Sequence, residues 1–142
     1  MGDDRFSAGS DVRRSVLGGR YVDAALAAGN GDGFSAELQR LVTEYCWGEI
    51  WTRDQLPRKV RSLLNIAMLT ALNRPNELRV HTQGALRNGC TNSEIAEVLL
   101  QATIYAGVPA GVDAFRVAEK AIQDFSPDNA PGAESQDDHR GA

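Results

Sequence analysis

From Leu63 to Leu72 the chain reads Leu-Leu-Asn-Ile-Ala-Met-Leu-Thr-Ala-Leu, apolar around nearly the whole circumference of a helix. A helix without a polar face is one covered on several sides, so this pattern predicts a buried helix over about Arg58 to Asn73. The next stretch opens with Pro75, suited to a first helical turn, and closes at Gly89, suited to the position just past a helix end, which predicts a helix over Arg74 to Asn88. A third begins at Cys90-Thr91-Asn92-Ser93-Glu94, where Thr91 can cap and Glu94 can reach back in a capping box. Its apolar positions Ile95, Val98, Leu99, Ala102, Ile104 and Tyr105, the last expected in the core, run to a stop at Gly107-Val108-Pro109, and Ala110 to Phe125 reads as the last helix. Upstream, Asp11 to Leu17 and Tyr21 to Ala28 are short helix candidates separated by Gly18-Gly19. The glycine-rich run at 29–33 reads as a loop, and Ser35 is placed to cap a helix carrying Leu38, Leu41, Val42, Tyr45 and Cys46. There is no strand pattern and no repeat. The expectation is an all-α bundle of about six to seven helices over residues 11–125, between a flexible N-terminus (1–10) and a disordered tail (126–142) too poor in apolar residues to fold alone.

So few helices can hardly surround Leu63 to Leu72 on every side, which predicts that a second copy of the chain helps to cover it. The 142 residues suit one domain, and the net charge of -4 offers no basic stripe for nucleic acid. No apolar run of bilayer length and no secretion-type leader is present, and two isolated cysteines, Cys46 and Cys90, suit a reducing compartment, so a cytoplasmic location is expected. Neither a phosphate loop nor a dinucleotide fingerprint occurs.

Candidate chemistry concentrates on the second helix. Arg74, Glu77 and His81 are three and four residues apart, so a cation, an anion and an imidazole share one face, with Gly84 a turn further on. The other histidine, His139, lies in the polar tail, so any imidazole chemistry falls to His81. The same spacing also suits a solvated face of weak ion pairs.

The order of these signals carries a resemblance. A buried helix, a turn, a histidine eight residues before a glycine, Thr-x-x-Glu-Ile at Thr91 to Ile95 and Tyr-Ala-Gly-Val-Pro-Ala at Tyr105 to Ala110 resemble the carboxymuconolactone decarboxylase family, whose fold is that of alkylhydroperoxidase D. Arg14 to Gly18, Tyr21 to Asp23, Thr43 to Arg53 with its Tyr-Cys-Trp-Gly-Glu, Arg61 to Asn65 and Leu69 to Pro75 extend the likeness over about Val12 to Phe125, toward its 4-carboxymuconolactone decarboxylase branch. Redox members of that superfamily carry Cys-x-x-Cys four residues ahead of the histidine. Here those positions are Arg74 and Glu77, so a dithiol peroxidase mechanism has neither thiol, and Cys46 and Cys90 read as buried, reduced core residues.

What the resemblance implies is a homo-oligomeric enzyme, usually a trimer or hexamer, that decarboxylates a lactone dicarboxylate to 3-oxoadipate enol-lactone in protocatechuate breakdown with no metal and no organic cofactor. The substrate's own lactone carbonyl serves as electron sink. Three tasks remain for side chains. An arginine fork would anchor the retained carboxylate, with Arg74 first, then Arg61 and Arg53. An N–H from His81, Trp47 or Trp51 would stabilise the developing oxyanion. His81 would also deliver the proton to carbon, with Glu77 or Glu49 orienting it or raising its basicity. Trp47 and Trp51 fit an aromatic packing patch as well as a pocket wall, and Arg61 and Glu49 fit ordinary helix-surface pairs. The other reading is a helical oligomer of this fold that acts as a binding or accessory protein, or on a related lactone.

Overall fold

The computed structural model describes residues 2–31 and 33–126. Its described elements are α1 (Gly2–Leu17), α2 (Gly19–Gly31), α3 (Ala36–Leu41), a π-helical segment (Val42–Ile50), α4 (Arg58–Ala71), α5 (Pro75–Arg87), α6 (Asn92–Ala106) and α7 (Val108–Asp124), with no strand. The expected all-α architecture is present, and the punctuation read from the sequence operates as anticipated in its second half. Thr91 Oγ1 accepts from the Glu94 amide at 3.1 Å while the Glu94 carboxylate accepts from the Thr91 amide at 3.0 Å, a complete capping box. Gly89, at φ +88°, ends α5 in a left-handed turn in which the Cys90 amide donates to the Ala85 carbonyl at 2.9 Å. Asn73 does the same for α4 at φ +54°, with Arg74 N–H donating to Leu69 O at 3.0 Å. Asparagine is one of the few residues other than glycine that adopts this conformation at modest cost.

Two cores share the chain. Ile66, Leu78, Ala85, Cys90, Ile95, Leu99, Ala114 and Ala118 pack together from α4 to α7. Val12, Val16, Leu17, Val22, Trp47, Trp51 and Val80 form the other, from α1, α2, the π-helical segment with the residue just past it, and α5. Among the described residues, helix α5 alone serves both: Leu78 and Ala85 face one core, Val80 the other. Where α5 meets α1 the approach is close, since a Cβ on Gly84 would lie 3.1 Å from Val16 Cγ1.

The N-terminal half departs from expectation. Residues 1–10, expected to be flexible, belong from Gly2 onward to α1, which also absorbs the helix expected over Asp11 to Leu17. The reason is a partner. Gly9 of α1 lies against the π-helical segment so closely that a Cβ there would collide with the Thr43 carbonyl and sit 2.7 Å from Gly48 N. A Cβ on Gly48 would in turn strike the Arg5 backbone. Arg5 adds a salt bridge to Glu49 at 3.5 Å and stands over the Tyr45 ring. The expected loop at 29–33 is also shorter, because α2 runs through Gly31.

The single helix expected after Ser35 is two elements. Ser35 provides no side-chain cap, Leu38, Leu41 and Tyr45 are exposed, and past Leu41 the backbone widens to π geometry. The Trp51 amide donates to the Cys46 carbonyl at 3.0 Å, five residues back. The inward residues of this stretch are Thr43, Trp47 and Trp51, four apart. Arg13, 5% exposed, anchors it to α1 by donating to Thr43 Oγ1 at 3.3 Å and to Gln39 Oε1 at 3.0 Å.

Helix α4 is buried on fewer sides than its composition suggested: Ser62, Ile66 and Thr70 are enclosed, while Leu64, Met68 and Leu72 are exposed. Tyr105, expected in the core, is 86% exposed, and Ile104 is 79% exposed. Tyr105, Leu64 and Met68 border an open apolar groove of about 580 Å³ between α4 and α6, lined also by Leu63 and Val98. Cys90 is buried as expected, but Cys46 lies on the exposed side of the π-helical segment.

Gly9→Ala should cost at least about 2 to 3 kcal/mol, the scale of an overpacked contact that only a backbone shift can relieve. Gly19→Ala, whose new methyl would lie 3.6 Å from the end of the Arg14 side chain, should stay within about 1 kcal/mol of the parent. Urea denaturation of both variants checks the pair, and equal stability would mean that the crossing at Gly9 is not tight.

Candidate active site

His81 projects from α5 toward the seam between the two cores. Its ring lies nearly parallel to Trp47 (4° between planes, centroids 6.1 Å apart) and 6.3 Å from Trp51. The two indoles stack on each other at 4.8 Å and are 3% and 4% exposed. Both tryptophans therefore pack as an aromatic unit, and that unit stands beside the imidazole. On the remaining side, Asn65 of α4 brings its side-chain amide to 3.4 Å from His81 Nδ1.

This neighbour sets the chemistry of the ring. With the Asn65 N–H donating, Nδ1 is the acceptor and Nε2 carries the proton, so the imidazole presents an N–H donor on its other edge. Burial pushes the His81 pKa down to about 4, against a smaller opposing pull from the Glu77 charge. Burial thus favours a neutral imidazole in place of the acid poised near neutrality expected from the sequence. Asn65 was missed, although its signal was present as a carboxamide inside an otherwise apolar run.

The charged candidates divide. Arg61 is one turn before Asn65 on α4, hence on the same face, and its Nη2 donates to the Arg53 carbonyl at 3.2 Å. Its Nε is buried with no partner. Arg53 enters this corner through its carbonyl, and its side chain is exposed. Arg74, the first choice from sequence, lines a different groove of about 570 Å³ with Pro75, Leu78, Pro109 and Arg116, between α5 and α7. Glu77 is exposed and acts on His81 only through its charge. Glu49 is engaged by Arg5 on the outer side of the π-helical segment. Neither carboxylate takes the orienting position that Asn65 holds.

Desolvation pushes both thiols up in pKa, for Cys46 by its partly covered sulfur although the residue lies at the surface and Arg13 opposes the shift; Cys90 donates to the Lys59 carbonyl at 3.6 Å. Among the described residues, no group of three or more His, Cys, Asp or Glu side chains is placed to hold a metal ion. No helix among them is long and apolar enough to cross a membrane.

The site is thus a histidine on α5 set against a stacked tryptophan pair in an all-α bundle, with no cysteine pair beside it. Residues 36–120 match the carboxymuconolactone decarboxylase family, and the chain belongs to it. It is 39% identical over 123 residues to 4-carboxymuconolactone decarboxylase of Acinetobacter baylyi, covering 87% of this chain and 90% of that one. To nitrosuccinic acid decarboxylase of Metarhizium robertsii it is 42% identical over 120 residues, covering 84% and 82%.

The lowered histidine pKa has a consequence for stability. Above pH 6.5 the ring is neutral in both folded and unfolded chains and stability is full. As pH falls toward 4 the unfolded chain takes up a proton that the folded one refuses, so stability is lost across that window, by about 3 kcal/mol. Urea denaturation at pH 7 and pH 4.5 should show an acid loss smaller by about 2 to 3 kcal/mol in His81→Gln than in the parent. Identical losses would place the imidazole in solvent.

Proposed function

We propose that the protein decarboxylates 4-carboxymuconolactone to 3-oxoadipate enol-lactone without a metal or organic cofactor, at the His81 site. The observation that carries this reading is the geometry at His81, whose ring lies parallel to Trp47 with centroids 6.1 Å apart and whose Nδ1 stands 3.4 Å from the Asn65 amide, an arrangement in which Nε2–H is the donor offered to substrate. The substrate holds its departing carboxylate on the ring carbon vinylogous to the lactone carbonyl. When that carbon–carboxylate bond breaks, its electron pair forms a new ring double bond, the original double bond shifts, and negative charge collects on the carbonyl oxygen. The dienolate then takes a proton on the carbon next to the carbonyl, and the enol-lactone results.

A preformed N–H donor aimed at the oxygen where charge develops is worth about 2.7 to 4 kcal/mol in activation free energy. A neutral imidazole suits that role better than a cation, because it attracts the ground-state carboxylates less. As the dienolate forms, its charge raises the basicity of the ring beside it, the direction needed for a proton to reach His81 from solvent and pass to carbon. Arg61, with its unpartnered buried Nε, is the favoured anchor for the retained acetate carboxylate; Arg53 and Arg74 follow. Trp47 and Trp51 exclude water from the reacting ring, and Glu77 tunes His81 through space.

The nitrosuccinic relative supports a second substrate reading. A nitro group, like an unsaturated lactone, is itself an electron sink, so a site that supplies only an anion clamp and an N–H donor suits either acid. The apolar groove between α4 and α6, bordered by exposed Leu64, Met68 and Tyr105, supports self-association through this face.

His81→Gln should remain folded at pH 7 and lose at least about a hundredfold in turnover of carboxymuconolactone, followed by NMR of the enol-lactone. Arg61→Ala should raise KM more than Arg74→Ala does. Full activity in His81→Gln removes the assignment, and turnover of nitrosuccinate alone shifts it to the second substrate. Light scattering should give a multiple of the monomer mass, and Met68→Glu with Tyr105→Glu should reduce it; a parent monomer would refute the interface.

A further inference from the structure

Three arginines gather on a part of the molecule that the His81 chemistry does not use. Arg79, Gln83 and Arg87 are spaced four apart along α5 and so form one stripe, and Gln83 lies about 200° around the helix from His81. Opposite them, where the chain turns at Gly18 into α2, stand Arg20 and Tyr21. With Leu17 and Val80 these residues line a cleft of about 250 Å³, and its lining contains no carboxylate. The nearby Asp23 is already held by Arg14 at 2.5 Å. Among the described residues, none of Arg20, Arg79 or Arg87 has an ion-pair partner.

Arg87 is the most constrained of the three. Its Nη1 donates to the Val16 carbonyl at 3.3 Å, its guanidinium stands 5.4 Å over the Phe125 ring, and its Nε is buried without a partner. Half-buried as it is, it loses hydration with no opposite charge to replace it, and burial pushes its pKa down. Three like charges around one concavity repel one another, and the arrangement is relieved when an anion enters between them.

We propose that this cleft between α2 and α5 is a binding site for a small carboxylate dianion, separate from the His81 site. Guanidinium forks match carboxylates with two parallel hydrogen bonds, and the Tyr21 hydroxyl adds a donor. The size selects a short acid, because drug-sized ligands occupy roughly 300–1,000 Å³. A bound dianion would tie the bend between α1 and α2 to α5, the helix both cores share. The anion has two possible sources: a free metabolite, or the chain's own Asp128, Glu134, Asp137 and Asp138, which follow Phe125 in sequence.

The test is calorimetric titration of the full chain with succinate, with propionate and sodium chloride at matched ionic strength as controls. Succinate should bind saturably and raise the melting temperature, with propionate at least tenfold weaker. Arg79→Gln and Arg20→Gln, both at exposed positions, should each weaken succinate at least tenfold, while Arg61→Ala leaves it within twofold. If succinate binds only after Asp128→Asn, Glu134→Gln, Asp137→Asn and Asp138→Asn are combined, the tail's carboxylates are the native occupant of the same site. No saturable binding in either background overturns the proposal. So does binding that survives both arginine substitutions, or binding lost with Arg61→Ala, which would place the anion at the His81 site.

Discussion

The backbone crossing of α1 and the π-helical segment at Gly9 and Gly48 is the constraint on which the site depends. Without side chains at these two positions the elements approach to a distance no Cβ would tolerate. That approach lets Arg13 reach Thr43 and Gln39 and turns Trp47 and Trp51 inward. The π geometry belongs to the same solution, because Thr43, Trp47 and Trp51 then fall along the inner side while Tyr45 and Cys46 stay outside. The tryptophans reach the imidazole only as a result of this packing. A residue in α1 with no contact to ligand therefore bears on the chemistry of a histidine more than seventy positions away.

Much of the second half was legible because its signals are local. Pro75, Gly89 and the Thr91–Glu94 box act within a turn of their own positions, and the observed boundaries of α4 to α7 lie within about two residues of those expected. The first half resisted because its determinants are distant. Nothing near Gly2 to Ser10 announces a helix; the reason for one lies in Gly48 and Glu49. The divided helix after Ser35 resisted for the same reason, since π turns have no distinctive composition. The apolar run from Leu63 to Leu72 was read as burial on all sides within the assembly, and in the single chain part of it is open groove.

The site was legible as a histidine and a family, less so as a geometry. His81 stood out by scarcity, but its partner Asn65 and its neutral state depend on how α4 and α5 meet. Counting along the helix placed Arg74 with His81; its position at the helix start sends it to the α7 side instead. Arg61, on the neighbouring helix, shares the face of Asn65.

The division into two cores also bears on how the protein assembles. Helices α4 to α7 follow one another and pack mainly on each other, so that half closes short loops as it folds. The other half must bring Val16 to Arg87, 71 residues apart, and that closure is slower. His81 sits on the helix between them, facing the half that docks later. This topology predicts that the corner around His81 is the last part of the molecule to be completed, and the first to open when the halves separate in a partial opening that leaves most of the helices intact.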